Sequence, residues 1–409
     1  MNILLINKFH YAKGGAERYY LDISRLLREA GHQVGHLSMA HPRNVPATEA
    51  DAFVEEVDYH KSMGGLGKLK AASRVLYNRE SVRRVRELVR ARRPHVAHHQ
   101  NIYHQISLSV VRELARCDVP MVMTLHDYKP VCPAYLLMVG GEICERCRKG
   151  RFYHAAMNTC ILNSRPASIL GSLEAYLHTL WGTYDQIALY LCPSRFLVDK
   201  VGEMSQRPIK LRHLPNFLPT DDFKPVYEGD PVVVYAGRLS REKGLPTLIE
   251  AARRQNVGRG WKLRILGEGP LRAELEAKVT EWGLEDGIRF EGFCSGEDLK
   301  EVIQSASVVV VPSEWYENQP YAILEAFALG KPVIGSSIGG IPELVRADRT
   351  GWTFPPGDAD GLGMAMREAL DHPEQTREMG REARRLVEKD HNPALHMERL
   401  LNIYEEVSS

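Results

Sequence analysis

The sequence predicts an α/β protein of two doubly wound, Rossmann-like domains that face each other across a cleft. Short apolar runs alternate with longer runs of helical period along most of the 409 residues. This alternation is typical of the βαβ units of a parallel sheet. It stops once, at residues 215–230, where three prolines and four acidic residues stand without an apolar period, and then it restarts. We interpret that segment as a linker.

Ten apolar runs are the predicted strands, five on each side of the linker. Those before it are MNILLIN (1–7), HQVGHLSM (32–39), HVAHHQ (95–100), VPMVMTLH (119–126) and IALYLCPS (187–194). Those after it are PVVVYAG (231–237), KLRILG (262–267), IRFEGF (288–293), SVVVVPS (307–313) and KPVIGSS (331–337). We therefore expect domains at 1–215 and 216–392. Residues 393–409 have apolar residues at helical spacing, which predicts a terminal helix docked across the domains.

The bulk composition excludes several classes of protein. The 53 Lys and Arg nearly balance the 52 Asp and Glu, so there is no global signature of nucleic-acid binding. The first ten residues lack the basic region of a signal peptide, and no apolar stretch is long enough for a membrane span. We expect a cytoplasmic protein whose seven cysteines are mostly reduced.

Two acidic residues, Glu317 and Glu325, flank the start of a predicted helix that follows a buried strand. The N-terminus of such a helix offers free N–H groups and partial positive charge to an anion. A carboxylate accepts two hydroxyls from a vicinal diol, which both a ribose and a hexose present. The spacing alone equally fits a surface acid and a solvated helix residue, although the apolar neighbours of Glu325 indicate that it needs a partner.

Cations and glycines follow two other strands of the second half. Arg238 and Lys243 come directly after a strand, where two cations hold a diphosphate without a metal; alone, they also fit routine surface charge. Gly267 and Gly269 lie in GEGP at another strand-to-helix turn. By themselves these glycines fit a tight turn better than a binding loop.

These motifs together resemble a known family. AGRL…EKG, GEGP, PSEWYENQPYAILEAFALGKPVIGS, GGIPELV and TGWTFPPGD follow one another between residues 236 and 358. In this order they resemble the C-terminal domain of retaining GT-B glycosyltransferases of family 4 (group 1). The usual Glu-Gly-Phe-Pro of that family is Glu-Asn-Gln-Pro here, at 317–320. This departure leaves the identity of the sugar open but keeps the loop and its backbone N–H groups.

The resemblance implies a division of roles within the second half. Arg238 and Lys243 would contact the donor diphosphate, and Glu325 would bind the ribose hydroxyls. Glu317 would contact the transferred sugar near the reacting carbon, as a catalytic residue. The remaining donor-binding candidates are Gly15, Gly267, Gly269, Asn318, Gln319, Pro320 and Tyr321.

The first half adds candidates at the carboxyl ends of its strands. Gly14 and Gly15 precede a predicted helix, where backbone approaches a phosphate or an acceptor; a plain turn is the alternative. Both match the glycine loop of the family. His126 and Asp127 end the strand MVMTLHDY. The resemblance implies that His126 reaches the donor sugar as a second catalytic residue, with Asp127 on the acceptor side.

We expect no metal or other cofactor in catalysis. The sequence has no nucleophile–base constellation, which fits the front-face retaining mechanism that the resemblance implies. In that mechanism the leaving phosphate helps to deprotonate the acceptor, and the protein positions the reactants and stabilises charge. The triplet Asp358-Ala359-Asp360 resembles a metal-binding DxD, but it precedes a helical run, so we predict that it caps that helix.

A cysteine-rich insert occupies about residues 130–163. Its spacing, C-x11-C-x2-C-x12-C, fits four thiolate ligands of a structural zinc. His154 is an alternative ligand, an iron–sulfur cluster is less favoured, and disulfides are disfavoured in the cytoplasm. Some members of the resembling family carry a similar insert, and we expect this one to border the acceptor pocket. The predicted ligands are Cys132, Cys144, Cys147 and Cys160.

The stretch from Ser73 to Arg93 holds eight arginines, with Val82, Val85 and Val89 as a predicted buried stripe. A solvated face is the simpler interpretation. The alternative is peripheral contact of Arg74–Arg93 with an anionic membrane at the inner face, where a lipid-linked acceptor would be reached.

The sequence thus predicts a retaining hexosyltransferase that uses a nucleotide-sugar, with a UDP-sugar as the first choice. Its acceptor, oligomeric state and sugar are not readable from the sequence. A sugar phosphorylase or a sugar-nucleotide hydrolase on the same fold is the alternative enzyme. A sugar-nucleotide-binding protein without turnover is the alternative of another class.

Overall fold

The computed structural model describes residues 1–56 and 65–409, with the backbone alone at residues 65, 66 and 68–70. The chain divides into two compact units. The first comprises Met1–Val139, Cys144–Pro215 and His396–Ser409, and the second comprises Gly140–Ile143 and Asn216–Leu395.

The first unit is built around a parallel sheet with helices between its strands. Its sheet strands are β1 (Asn2–Ile6), β2 (Gln33–Leu37), β3 (Val96–His99), β4 (Met121–Thr124), β7 (Leu189–Cys192) and β8 (Leu211–His213). The cysteine-rich insert adds two short strands, β5 (Met138–Val139) in this unit and β6 (Glu142–Ile143), which is counted with the second unit. The helices are α1 (Gly15–Glu29), α2 (Gly65–Leu76), α3 (Arg79–Arg92), α4 (Ser109–Arg116), α5 (Tyr153–Met157), α6 (Arg165–Leu180) and α7 (Arg195–Met204).

The second unit repeats the plan after the linker. Its strands are β9 (Asp230–Ala236), β10 (Lys262–Leu266), β11 (Ile288–Gly292), β12 (Ala306–Val311), β13 (Val333–Ser336) and β14 (Gly351–Phe354). Its helices are α8 (Leu245–Arg254), α9 (Arg272–Glu281), α10 (Gly296–Ser305), α11 (Tyr321–Ala328), α12 (Ile341–Leu344), α13 (Ala359–Asp371) and α14 (Pro373–Asp390), and α15 (Pro393–Ser408) ends the chain.

Both sheets have a doubly wound strand order. The second is β11-β10-β9-β12-β13-β14, the order of a dinucleotide-binding sheet. The first is β2-β1-β3-β4-β7-β8, which follows the other common doubly wound order. All paired strands within the two sheets are parallel. The ten predicted strands are therefore present, and the predicted α/β class is confirmed.

Alternation along the central strands explains why these runs are so apolar. Val233 and Tyr235 of β9 face one buried apolar cluster, and Val234 between them faces another. The sheet is thus covered on both faces, as expected for parallel strands. Sequence reasoning missed β8 and β14. The three residues of β8 are only half-buried, and the apolar residues of β14 are interrupted by Gly351 and Thr353. Neither strand therefore has the strong apolar pattern that predicted the others.

The segment after Pro215 is less solvent-exposed than a plain linker. Phe217, Leu218 and Phe223 are buried, and the Leu218 N–H donates to the His391 carbonyl at 2.9 Å. These apolar side chains stand too irregularly to show a period. The exposed later part is also held on the second unit, since the Val226 N–H donates to the Leu329 carbonyl at 2.9 Å. The segment after Pro215 is therefore a packed strap of the second unit and not a free linker.

The terminal helix packs on the first unit from His396 onward. Leu400, Ile403 and Tyr404 are its buried residues toward that unit's core. The His396 ring lies 2.8 Å from the Pro215 carbonyl, and the Arg212 guanidinium donates to Glu406 at 2.7 Å. The helix thereby closes one face of the first unit.

Candidate functional site

The strand order of the second unit reverses between β9 and β12. Ligands of doubly wound sheets bind at such a switch point, beyond the carboxyl ends of the strands. The loop after β9 contains Arg238 and Lys243, and the loop after β12 contains Glu317. The fold therefore brings together residues that the sequence separates by more than seventy positions.

Lys243 and Glu317 form an ion pair at this switch point. Lys243 Nζ donates to Glu317 Oε1 at 2.5 Å, and Ser313 Oγ donates to the same oxygen at 2.7 Å. The side chain of Glu317 is 7 % exposed and that of Lys243 is 24 % exposed. Trp315 lines the lysine, with 5.4 Å between Nζ and the ring centroid. The carboxylate is thus buried and held from two sides.

The surroundings of Glu317 keep it ionised. Burial would raise the pKa of this carboxyl, but the charge and hydrogen bond of Lys243, with the Ser313 hydroxyl, lower it below its ordinary value. The same negative charge adds to burial in raising the pKa of Tyr235. A fixed carboxylate at this place can stabilise positive charge or accept hydroxyl hydrogen bonds.

Two glycines hold the backbone of Glu317, and sequence reasoning did not assign them a role. Gly339 has φ +61, and a Cβ there would lie 2.3 Å from the Glu317 carbonyl oxygen. The N–H of Gly340 donates to that carbonyl at 2.7 Å. The signal was present in GGIPELV, because a glycine pair after a strand often marks close backbone approach.

Of the residues after Glu317, some are buried and support the local backbone, and others remain partly exposed. Gln319 is buried, and its Oε1 accepts from the Asn216 N–H at 2.5 Å. Its carboxamide therefore anchors the segment after Pro215, and its predicted contact with donor would require that bond to be exchanged. Pro320 is the N-cap of α11, with Tyr321 as the first helical residue. Asn318 and Glu325 are half-buried.

The glycines of GEGP support the cationic loop by close packing. A Cβ on Gly267, whose φ is +131, would lie 1.9 Å from the Gly237 carbonyl oxygen. A Cβ on Gly269 would lie 2.2 Å from the Leu239 carbonyl oxygen. Both glycines thus let the turn pack against backbone on either side of Arg238. Arg238 itself is exposed, and within the described residues no carboxylate pairs with it.

In the first unit, His126 belongs to a buried hydrogen-bond relay. Its Nε2 lies 2.7 Å from Gln100 Oε1, and Gln100 Nε2 lies 2.9 Å from His98 Nε2. His98 Nδ1 in turn lies 2.7 Å from the Tyr404 hydroxyl on α15. Sequence reasoning assigned no role to His98 and Gln100, because both lie within the predicted strand HVAHHQ.

Burial fixes the protonation of His126, and the relay fixes its tautomer. Burial lowers the pKa of His126 to about 3, so the imidazole is neutral near pH 7. With the Gln100 amide oriented to donate to His98, its oxygen accepts from the Nε2–H of His126. The Nδ1 of His126 is then the nitrogen with a lone pair, and it can accept a hydroxyl hydrogen bond.

Asp127 and the glycine loop complete the predicted positions of the first unit. Asp127 Oδ1 accepts from the Lys129 N–H at 2.9 Å, and burial raises the pKa of Asp127. Gly14 is the N-cap of α1 and Gly15 its first residue, as the predicted glycine loop requires. Both glycines are exposed, and their backbone N–H groups begin the helix.

The four cysteines of the insert are free thiols. Burial raises the pKa of Cys147 to about 12 and that of Cys160 to about 11, with repulsion from the other thiolates of the insert as a further cause. Cys132 is buried and Cys144 half-buried. Yet among residues 1–56 and 65–409 no three His, Cys, Asp or Glu side chains are arranged to hold a metal ion. The ring of His154 lies against that of Tyr153 instead, with 4.3 Å between the ring centroids.

Two other sequence features have clear structural outcomes. Asp358 Oδ1 accepts from the N–H groups of Asp360 and Gly361, so the DxD-like triplet caps α13 as predicted. The stretch Ser73–Arg93 is two helices, α2 and α3, because Asn78 caps a new helix between them. Val82 and Val85 are buried as predicted, but Leu88 rather than Val89 continues the stripe.

Comparisons with known proteins agree with this architecture. Among solved structures, the chain resembles sucrose-phosphate synthase from Thermosynechococcus elongatus, with a TM-score of 0.73 and 20 % identity over 100 % of this chain and 99 % of that one. It also resembles Anabaena HepE in complex with UDP-glucose, with a TM-score of 0.70 and 17 % identity over 99 % of this chain and 100 % of that one. These likenesses define the fold as GT-B.

Family models then place the chain more closely. The model for glycosyl transferases group 1 matches residues 219–386, and the model for the glycosyl transferase 4-like domain matches residues 14–170. The protein belongs to the group 1 (family 4) glycosyltransferases. These matches do not show that the cysteine-rich insert is a feature of the family.

Curated relatives match over parts of their length. An α-D-kanosaminyltransferase of Streptomyces kanamyceticus is 29 % identical over 51 % of this chain and 58 % of the relative. A putative colanic acid biosynthesis glycosyltransferase of Escherichia coli (strain K12) is 36 % identical over 39 % of this chain and 41 % of the relative. The matches thus span between about two fifths and three fifths of these relatives.

Proposed function

We propose that the protein is a retaining hexosyltransferase that moves a sugar from a nucleotide-sugar, with a UDP-sugar as first choice, to an acceptor hydroxyl. The observation that carries this proposal is the buried, ionised Glu317, paired with Lys243 at the switch point of the second sheet. The names of the relatives, which are glycosyltransferases, support the same class. The UDP-glucose bound to HepE supports the donor type.

The second unit would bind the donor. Arg238, exposed and without a described carboxylate partner, would contact the diphosphate first. The diphosphate would then compete with Glu317 for Lys243, so the ion pair of the free protein would loosen as the donor binds. Glu325, on the second turn of α11, would bind the ribose hydroxyls. Glu317 would then face the transferred sugar with a carboxylate that accepts hydroxyl hydrogen bonds.

The chemical step would depend on positioning and electrostatics. In a front-face retaining transfer, an oxygen of the leaving diphosphate accepts the proton of the acceptor hydroxyl as the new glycosidic bond forms on the same face. Glu317 and Arg238 would balance the charge that develops on the sugar and on the diphosphate. Neutral His126 would accept a sugar hydroxyl at Nδ1 and hold the ring in orientation. No cofactor takes part in this proposal.

A turnover assay with candidate donors tests the proposal. Thermal melting with UDP-, GDP- and ADP-sugars first identifies the donor, because a ligand that binds only the folded state raises the melting temperature. We expect the chosen donor to yield a glycoside that keeps the donor's anomeric configuration. Donor hydrolysis without transfer would favour the hydrolase alternative, phosphorolysis would favour the phosphorylase, and binding without turnover would favour a binding protein. An inverted product would contradict the retaining mechanism alone.

The proposed structural zinc would be held by the four cysteines of the insert. Besides burial, charge repulsion from Cys132 and Cys144 contributes to the raised pKa values of Cys147 and Cys160, which supports the proximity of the four side chains. As they stand they do not form a ligand set, so zinc binding would require the thiols to move together and lose their protons. Metal analysis of the purified protein is the test: about one zinc per chain supports the site, and absence of both zinc and iron contradicts it.

We place the protein in the cytoplasm, in peripheral contact with the inner face of the membrane. Within the described ranges, none of the helices combines the length and the apolar character that crossing a bilayer requires. The acceptor would be a glycan, a lipid-linked sugar or a natural product. Contact through Arg74–Arg93 is the alternative that the sequence offers to a solvated face, and no nucleic acid is expected as a partner.

A further inference from the structure

Helix α6 has its apolar side chains on the outside. Its buried residues are small or polar: Ser168, Gly171, Ser172, Glu174, Ala175 and His178. Four of its large apolar residues, Ile169, Leu173, Tyr176 and Leu180, follow each other at spacings of four, three and four, and all are exposed. Leu170 and Leu177 are half-buried. Leu173 is 52 % exposed and Leu180 is 80 % exposed. A water-facing helix normally shows the opposite pattern.

Neighbouring segments extend this surface. Tyr153 and Met157 of α5 and Leu162 of the following loop are also exposed, with Met157 at 71 %. The two helices pack together, since the Tyr153 N–H donates to the Tyr176 hydroxyl at 3.2 Å. We call this surface the α5–α6 apolar face; it comprises Tyr153, Met157, Leu162, Ile169, Leu173, Tyr176, Leu180 and Trp181. A concentration of apolar residues of this kind marks an interaction surface.

Cations border the α5–α6 apolar face. Arg151 precedes α5 and Arg165 begins α6; both are exposed, and neither pairs with a carboxylate of the described chain. Arg112 lies over the Trp181 ring, 4.6 Å from its centroid, and donates to the Trp181 carbonyl at 3.1 Å. The acidic residue of α6, Glu174, is buried against Lys129 and does not offset these charges at the surface.

We propose that the α5–α6 apolar face docks the protein on a bilayer that contains anionic lipids. Leu173, Leu180 and Met157 would enter the boundary between headgroups and acyl chains, as the apolar side of an interfacial helix does. Tyr153, Tyr176 and Trp181 are the amphipathic aromatic residues that favour the headgroup level. Arg151 and Arg165 would meet the anionic headgroups. This inference stands apart from the sugar transfer, because it does not depend on the donor or the acceptor.

A second copy of the chain is the competing occupant, and charge disfavours it. A two-fold interface places the same patch of both copies face to face. Arg151 and Arg165 would then border the same cations of the partner, without acidic residues of α6 to pair with them. A surface of anionic lipid presents the opposite charge instead.

The basic helices are a weaker candidate for the membrane contact than the sequence indicates. Arg74 pairs with Glu55 and Glu80, Arg86 with Glu113, and Arg92 with Glu49. Arg83 and Arg84 both lie near Glu87. Much of the positive charge of this stretch is therefore already compensated, and α3 buries its apolar stripe in the first unit.

Sedimentation of the full chain with lipid vesicles tests the proposal. The vesicles contain phosphatidylcholine alone or phosphatidylcholine with phosphatidylglycerol. We expect binding to the anionic vesicles, weaker binding to the neutral ones, and a decrease with salt. The double variant Leu173→Gln, Leu180→Gln should lower the partition coefficient about tenfold or more, since burial of each leucine contributes a large factor.

Matched variants make the result specific. Phe293→Gln with Met364→Gln removes two similarly exposed apolar residues from the second unit, 75 % and 66 % exposed, and should not change vesicle binding. Met157→Gln with Leu162→Gln should reproduce the loss and guards against a folding defect in the α6 variant. Arg83→Gln with Arg90→Gln tests α3.

Three outcomes would overturn the proposal. The first is absence of binding to either kind of vesicle. The second is a loss of binding with the α3 variant while the leucine variant binds like the parent. The third is a dimer, seen by light scattering without lipid, that the leucine variant dissociates; the face would then join two copies of the chain.

Discussion

The contact between Lys243 and Glu317 has properties that neither residue has alone. Glu317 is buried, so its charge requires the ammonium and the Ser313 hydroxyl that hold it. Lys243 is only partly buried and remains able to exchange partners. In the free protein the pair stabilises the loop after β12, and in the proposed reaction the donor diphosphate takes over the lysine. The same ion pair thus serves the fold and the site.

Lys243→Met should destabilise the protein, because it leaves the Glu317 carboxylate buried without its cation. We expect the pKa of Glu317 to rise and the free energy of unfolding to fall by about 2 kcal/mol, less than for a fully buried pair because Lys243 is partly exposed. Adding Glu317→Gln should restore at least half of the loss. Urea denaturation measures both.

An exposed ion pair of the same unit provides the control. Lys278 lies 3.3 Å from Glu274 on α9, and the two side chains are 37 % and 56 % exposed. Lys278→Met should cost at most about 0.5 kcal/mol. Equal losses for Lys243→Met and Lys278→Met would show that the Glu317 pair has no special role in stability.

Gln100 is the residue that we expect to position His126. Gln100→Met keeps the length of the side chain but removes the acceptor of the His126 Nε2–H. We expect turnover to fall on the order of tenfold with donor affinity unchanged, as for loss of an oriented catalytic group. Nitrogen NMR should show a mixture of imidazole tautomers in place of one.

Gln100→Glu restores the acceptor oxygen and should recover the single tautomer. Full turnover and a single imidazole tautomer in the Gln100→Met protein would show that Gln100 does not position His126. Equal loss of donor affinity and turnover would indicate general disturbance of β3 instead of positioning.

At the scale of elements, the turns after the strands place the site. GEGP joins β10 to α9, and its glycines pack against backbone on either side of Arg238. Gly244 ends the short turn of Lys243 at φ +70, where a Cβ would lie 1.9 Å from the Pro312 carbonyl oxygen. These turns touch each other through backbone, so a side chain at one displaces the next. The elements are therefore coupled by close approach of their backbones as well as by the Lys243–Glu317 ion pair.

Gly267→Ala should disrupt donor binding as well as stability. Its Cβ would meet the Gly237 carbonyl, and the resulting shift moves Arg238. We expect a loss of about 3 kcal/mol in unfolding free energy and at least tenfold weaker donor binding. Gly260→Ala is the control, because Gly260 has φ +91 but open space around it.

The control should cost about 1 kcal/mol, the strain of a left-handed alanine, with donor affinity unchanged. Denaturation and donor titration separate the two effects. If Gly267→Ala behaved like Gly260→Ala, close packing of the turn would not be what positions Arg238.

Strand β3 contains a histidine whose ring is buried without a hydrogen-bond partner among the described residues. Burial lowers the pKa of His99 from 6.5 to about 3. Below pH 6.5 the unfolded chain protonates His99 while the folded protein keeps it neutral. The free energy of unfolding therefore falls as the pH drops below 6.5. The slope approaches about 1.4 kcal/mol per pH unit.

His99→Leu should therefore raise the unfolding free energy at pH 7 by about 1 kcal/mol, because an unpaired polar ring leaves the core. It should also lower the number of protons taken up on unfolding between pH 6.5 and 4.5 by nearly one, so that the unfolding free energy falls less steeply as the pH drops. Denaturation across that range measures both changes. A destabilised variant with the same pH slope as the parent would contradict the assignment of an unpartnered, neutral His99.

At the scale of the whole molecule, the sequence predicted the architecture because parallel strands covered on both faces are nearly continuous apolar runs. It also located the carboxyl ends of those strands, where Arg238, Glu317 and His126 stand. It missed β8, which is half-buried, and β14, whose apolar residues are interrupted by Gly351 and Thr353. It described the 215–230 segment as a linker, because packing of Phe217 and Leu218 depends on a surface formed elsewhere.

The finer features of the site depend on contacts distant in sequence. Lys243 and Glu317 were assigned separate roles, and only the fold shows that they are paired. The relay from Tyr404 to His126 joins the chain's end to an early strand, which no local pattern reveals. The exposed side of α6 was equally hidden, since its spacing of apolar residues is that of an ordinary buried helix. The period of a sequence shows that a helix has an apolar side, but only the fold shows whether that side faces the core or the solvent.

The central claim is that the second unit binds the nucleotide-sugar with Glu325 and uses Glu317 in turnover. Donor titration and turnover, measured side by side for Glu325→Ala and Glu317→Gln, test it most directly. We expect Glu325→Ala to weaken donor binding about tenfold or more. We expect Glu317→Gln, which keeps an oxygen for Ser313 and Lys243, to bind donor within about threefold of the parent and to lose turnover at least a hundredfold. Unchanged binding and turnover in both variants, or equal losses of both quantities in each, would contradict the claim.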